Sequence, residues 1–230
     1  MKKLLQFLVM ALFAGALFIG CGDGNSNDSN AVDVESKTQY AQPSAADTPS
    51  SYSDINLTEG TWDLKMGFRT DTSSSGLFDV VMDGNSSQVF SVDDTGNVTI
   101  ISATMYSKQI MAGLGEIFAQ FGGIDSSVQI DPSTGFKGKQ YISGEDLVME
   151  MWGTIPQEEI DEENAKNPTL DDLFEDLDPT ATVYKNSSGD LYYITYSGTK
   201  TVNNDSSIGY GTNPSTIDVN VTYTAILKKR

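Results

Sequence analysis

The densest group of side chains that could do chemistry lies between Glu158 and Asp178, where ten of the chain's 32 acids face a single cation, Lys166. Paired carboxylates can run hydrolysis when two of them face one cleft, about 5–10 Å apart. They can also hold a calcium ion weakly, although no D-x-[DN]-x-[DN]-G loop is present. A helix starting at Pro156 would scatter these acids around a solvated surface instead, and a solvated face is the reading we adopt. The 230 residues contain no His and one Cys. That excludes imidazole bases, Ser-His-Asp triads, HExxH zinc sites, cysteine metal clusters and intrachain disulfides. No cofactor or metal is implied, and any catalysis falls to carboxylates, Lys, Tyr or Ser.

Three short motifs match known patterns in letters. Glu159 to Glu163 is similar to the paired-carboxylate motif of certain glycoside hydrolases but lacks its interleaved apolar residues. Asp94-Thr95-Gly96 resembles the aspartic-protease triplet, whose chemistry requires a second such Asp to share the proton, and none occurs. A hairpin turn accounts for Asp94 to Asn97. Asp54-x-Asn56-x-Thr58, Asp83-x-Asn85-x-Ser87 and Asp218-x-Asn220-x-Thr222 resemble extended bacterial N-glycosylation sequons, which an Asn- and Ser-rich chain also produces by chance.

The one thiol, Cys21, sits where an apolar run ends. Lys2 and Lys3 precede Leu4 to Ile19, a stretch that would span about 24 Å as a helix, short of the ~30 Å hydrocarbon core. Residues 1–20 therefore read as a signal peptide. Phe18-Ile19-Gly20-Cys21 resembles the lipobox of bacterial lipoproteins, with Phe18 in place of the usual Leu. The resemblance implies cleavage before Cys21 and acylation of the thiol and the new amine, with chains such as palmitate. One acyl chain anchors marginally and several anchor stably. Gly22 after Cys21 is similar to lipoproteins sorted to a cell outer membrane. Whether the periplasmic or the surface face is occupied stays open.

The formal charge is −18. Such a surface repels nucleic acid and anionic lipid alike, so no nucleic-acid partner is expected and charge does not hold the protein to a membrane. Residues 21–54 are poor in apolar side chains and read as a disordered tether with a reach on the order of 30 Å. Residues 55–230 read as one β-rich domain. Trp62, Leu64, Met66 and Phe68 alternate with polar residues, and Ile217 to Leu227 alternate in the same way. Further strands are expected around residues 78–82, 89–105, 128–130, 136–142 and 146–154, with hairpin turns at Asp94–Asn97 and Asn186–Asp190. Helical spacing predicts a helix from Ile110 to Phe121, stopped by Gly122-Gly123. A helical insertion at about 155–178 is expected to open on a capping box at Thr154 and to bury Leu170, Leu173, Phe174 and Leu177. The fold class is mainly β: an antiparallel sheet or a small up-and-down barrel with a few short helices inserted.

Gly60-Thr61-Trp62 at the first strand resembles the Gly-x-Trp opening of lipocalins and lipocalin-like lipoproteins. That resemblance implies a barrel, closed at one end by Trp62, that holds an apolar ligand. Tyr184, Tyr192, Tyr193, Tyr196, Tyr210 and Tyr223 gather toward the C-terminus, where Tyr serves packing or an adaptable binding surface. Trp62, Tyr192, Tyr193 and Tyr196 are the candidate ligand-binding residues. The reading is a lipid-anchored cell-envelope protein with a non-catalytic binding or assembly domain for a small apolar ligand, a glycan or an envelope protein. The alternatives are a carboxylate-dependent envelope hydrolase and a structural surface lipoprotein.

Overall fold

The computed structural model describes residues 48–50, 55–72, 80–120, 136–174, 177–203 and 216–230. Cys21, the expected strand at 128–130, Gly122-Gly123 and Tyr210 lie outside them. Nine strands and three helices follow in chain order: β1 (Thr48–Ser50), β2 (Gly60–Asp71), β3 (Val80–Val92), β4 (Val98–Met111), α1 (Leu114–Gln120), β5 (Phe136–Ser143), β6 (Asp146–Thr154), α2 (Gln157–Asn164), α3 (Leu170–Phe174), β7 (Thr182–Lys185), β8 (Leu191–Asn203) and β9 (Thr216–Lys229). They form one antiparallel sheet in the order β1-β7-β8-β9-β2-β3-β4-β6-β5. The short strand β1 falls within the stretch expected as a tether.

The last strand returns to pair with the first long one, Trp62 opposite Lys229 and Phe68 opposite Tyr223, as a closed meander would require. Closure stops elsewhere. The β5–β6 hairpin is flipped, so β6 pairs with β4 and β5 is left at the edge of the order. The antiparallel sheet is therefore the correct alternative and the closed barrel is not formed.

Alternation sets one core face. Trp62, Phe68, Met82, Phe90, Tyr192, Ile194, Tyr223, Ala225 and Leu227 are buried there and form one cluster with Leu173 and Phe174 of α3. A second cluster joins Ile100, Ala103, Met105 and Phe136 to Ile155 and Ile160 of the crossover, residues 155–181, which links β6 to β7 through α2 and α3. By register, the six methionines beyond residue 60 (Met66, Met82, Met105, Met111, Met149 and Met151) share this face. Methionine is flexible and polarizable, which suits filling beneath helices that cross a sheet at irregular distances. Gly84 belongs to the same face: a Cβ there would lie 2.2 Å from the Phe68 ring and 2.9 Å from the Tyr106 carbonyl. The Phe68 side chain lies across the space that Gly84 leaves open opposite it.

Two helix expectations need correction. Ile110 and Met111 belong to β4, because each pairs on both sides, Ile110 with Val81 and Val148 and Met111 with Val80 and Leu147. Gly113, at φ +74°, turns the chain before α1 begins at Leu114. Local spacing had suggested a longer helix, and two rows of cross-strand neighbours override it. Thr154 ends β6 and caps nothing. Pro156 is the N-cap of α2, with no side-chain cap bond. The capping box forms instead at α3, where the Thr169 amide and hydroxyl donate to Asp172 at 2.8 and 2.7 Å and the Asp172 amide donates back to Thr169 Oγ1 at 3.4 Å.

The predicted hairpins form. Asp93 organises the β3–β4 turn, its carboxylate accepting from the Thr95 and Asn97 amides (both 2.9 Å), the Thr95 hydroxyl (2.8 Å) and Asn97 Nδ2 (2.8 Å). These bonds, led by that from the Asn97 side chain, hold its pKa down at about 2. The Asp94-Thr95-Gly96 triplet is thus part of a turn. In the β7–β8 hairpin, Asn186 Oδ1 accepts from the Asp190 and Leu191 amides, both at 3.2 Å.

Candidate functional site: a hydroxyl-lined groove

The four ligand-binding candidates do not form one site. Trp62 and Tyr192 are 0% exposed and pack on each other with ring centroids 6.1 Å apart. Trp62 Nε1 donates to the Thr58 carbonyl at 2.9 Å, and the Tyr192 hydroxyl donates to the Asn56 carbonyl at 2.8 Å. Both rings have their polar tips satisfied inside the core and present no surface to solvent. Tyr196 stacks on Tyr223 at 5.2 Å over Gly198. The Tyr223 hydroxyl accepts from the Asp178 amide at 2.7 Å, and Lys200 Nζ pairs with the Asp178 carboxylate at 3.3 Å. This group fastens the end of the crossover onto β8. Tyr193 lies on the opposite face, beside Tyr184, its register partner, at 6.3 Å.

That opposite face carries a groove. Strand β7 begins at Thr182, whose partner is Thr195, and Thr195 pairs in turn with Thr224. Beyond Thr195, β8 runs on to Asn203 with β9 as its partner and no β7 beside it. Where β7 starts, Thr180, Thr182, Thr195, Ser197, Thr222 and Thr224 line a cavity of about 300 Å³, together with Tyr196 and Tyr223. None of these side chains is charged. The rows further along β8 satisfy themselves: Ser197 Oγ and Thr222 Oγ1 lie 3.3 Å apart, Thr199 donates to Asn220 at 2.9 Å and Thr201 to Asp218 at 2.7 Å. The row Thr182–Thr195–Thr224 makes no side-chain hydrogen bond among the described residues, and Tyr184–Tyr193 is the next row on the same face.

Nothing like a catalytic pair is assembled among the described residues. Glu158, Asp161, Glu162, Asp171 and Asp172 are exposed on α2 and α3, as the sequence reading of a solvated charge run requires. No group of three acids there could hold a metal ion. On the far half of the sheet, Arg69, Asp83, Lys108, Glu150 and Lys139 are consecutive register partners, a row of alternating charge across five strands. Asp83 is paired with Arg69 at 3.1 Å and Glu150 with Lys139 at 3.1 Å, and the Tyr141 hydroxyl donates to Glu150 at 2.7 Å. Tyr106 and Tyr141 are both pushed up to about 12, first by burial and then by Glu150. They are donors held protonated. Among the described residues, every carboxyl whose shift is resolved moves down, the opposite of what a general acid needs.

The tyrosines stand out in the sequence as apolar rings with a polar tip, suited to a binding surface, whereas the threonines do not. The signal was present as hydroxyl residues with a period of two, Thr195, Ser197, Thr199 and Thr201 on one strand and Thr222 and Thr224 on the next. Alternation alone also places adjacent Tyr192 and Tyr193 on opposite faces. Compared with known protein families, curated proteins and solved structures, the chain matches none of them.

Proposed function

We propose that the protein is a lipid-anchored component of the cell envelope, held at an outer membrane through acylated Cys21, and that its sheet is a non-catalytic binding module. The observation that carries the binding reading is the groove at Thr182, Thr195 and Thr224. Three hydroxyls without a hydrogen-bond partner among the described residues stand in one uncharged cavity, beside β8–β9 rows that bond internally. A polar surface kept only for solubility has no reason to organise such a cavity, and a hydrolase would need a raised carboxyl beside it. The anchor reading rests on Lys2-Lys3, the apolar run and Phe18-Ile19-Gly20-Cys21. Cys21→Ser tests it: the protein moves from the membrane to the soluble fraction and loses the mass of its acyl chains. Unchanged partition and mass would sink the anchor.

A further inference from the structure

We infer that the groove takes an uncharged oligosaccharide laid across the face of β7, β8 and β9, an inference that rests on reading this groove as a binding surface. The chemistry of the lining narrows the ligand. No cation or carboxylate lines the cavity, so an ionic ligand finds no counter-charge in a protein of net charge −18. No aliphatic side chain lines it either, so an apolar ligand would desolvate the hydroxyls of Thr182, Thr195 and Thr224 without offering them a partner. A hydroxyl offers one donor and two acceptor lone pairs, which matches the donor-and-acceptor rim of a neutral sugar. Thr182, Thr195 and Thr224 repeat that group at the strand spacing, about 4.8 Å.

The neighbouring row adds an aromatic wall. Tyr184 and Tyr193 stand two residues from Thr182 and Thr195 on the same face, about 7 Å along the strands, with their rings tilted at 53°. Their π faces carry partial negative charge and suit the C–H face of a sugar ring, while their hydroxyls reach its rim. A peptide would use different features. It would add as a strand along the β8 edge that no described strand covers, in line with β7 and off the face, and would leave the Thr row and the Tyr pair unused. The features beside the cavity therefore favour the sugar.

The test uses the full lipidated chain in detergent, titrated calorimetrically with neutral hexasaccharides of glucose, N-acetylglucosamine and mannose and with an oligogalacturonate as the acidic control. At least one neutral probe binds saturably, in the micromolar to low-millimolar range expected of a shallow site, and the acidic probe does not. Thr195→Val and Thr224→Val keep the β-branched shape and each weaken binding about fivefold, and Tyr193→Ala weakens it about tenfold. Lys139→Gln, on the far edge, leaves affinity unchanged. Thermal midpoints of all four variants establish that they are folded. Absence of binding by every neutral probe at about 10 mM overturns the inference, as does binding that ignores Thr195→Val and Tyr193→Ala. If a photo-crosslinker at position 195 captures a protein instead of a sugar, the oligosaccharide falls while the binding-module reading stands. If it captures nothing and no sugar binds, both fall.

Discussion

Two long strands each outrun a short neighbour, and the protein treats the two overhangs differently. Strand β6 ends at Thr154, opposite Thr104, and leaves Val98 to Ala103 of β4 paired with β3 on one side and with no strand on the other. The crossover covers that edge group by group. Ile155 N donates to the Ala103 carbonyl at 2.9 Å, and Val98 N donates to the Pro168 carbonyl at 3.0 Å. Asn164 stands in for a strand residue, its Oδ1 accepting from Ile100 N and its Nδ2 donating to the Ile100 carbonyl, both at 2.8 Å. Strand β7 begins at Thr182, and β8 runs on past Thr195 with no such cover among the described residues. There the crossover is pinned at its root, by Asp178, Lys200 and Tyr223. A bare edge is a liability that folds cover unless they use it. The covered overhang is part of the scaffold, and the open one borders the groove.

Asn164→Ala should break the contrast most severely. It strips both side-chain partners from Ile100 and should cost about 2–4 kcal/mol, read as a lower denaturation midpoint with an unchanged m-value. Asn164→Leu should be no better, since an apolar side chain of similar size restores neither bond. Equal stability of wild type and both variants would show that the β4 overhang is covered by bulk alone. Native-state hydrogen exchange should then separate the edges in the wild type. The Ile100 amide should exchange at least tenfold more slowly than the outward-facing amides of residues 196–203. Matching protection at both edges would erase the distinction.

Acid should loosen the open side. The Asp178 pKa is held down at about 2, chiefly by the Thr180 hydroxyl, whose bond to Oδ1 is 2.6 Å, with Lys200 adding to it. A folded pKa below the unfolded value of 3.8 gives stability that is present above pH 4 and lost as pH falls through about 2. Asp93 behaves in the same way. Asp178→Asn should therefore flatten part of the acid limb of a pH–stability curve, and Asp93→Asn a further part. A curve unchanged by either would contradict these bonds. Lys200→Gln removes a half-exposed pair and should cost less than about 1 kcal/mol. Thr195→Val should be the mildest, within about 0.5 kcal/mol in thermal unfolding, because its hydroxyl has no hydrogen-bond partner among the described residues. A larger loss would mean that the groove threonines hold the sheet together.

Much of this was legible locally. Alternation from Trp62 to Phe68 and from Ile217 to Leu227 gave the core face of β2 and β9. Asp93 to Asn97 and Asn186 to Asp190 gave their turns, because side chains that bond the nearby backbone act within a few residues. The burial of Leu173 and Phe174 of α3 was readable from their helical spacing, which is equally local. The helix at Ile110 was misread, since spacing over a few residues carries no information about the Val81 and Val148 that flank it. The tyrosines were found by type, but their roles split between core and surface.

The sequence by itself determined that this is an antiparallel β protein of net charge −18, without imidazole and with one cysteine placed at a lipobox-like junction. Those properties follow from composition, periodicity and short motifs, all of which act within a few residues. Only the tertiary structure decided that β6 lies between β4 and β5, that Asn164 reaches Ile100 across 64 positions, and that Thr182, Thr195 and Thr224 share a row. Those juxtapositions depend on which long-range pairings bury the most surface and satisfy the most backbone, a competition settled across the whole chain.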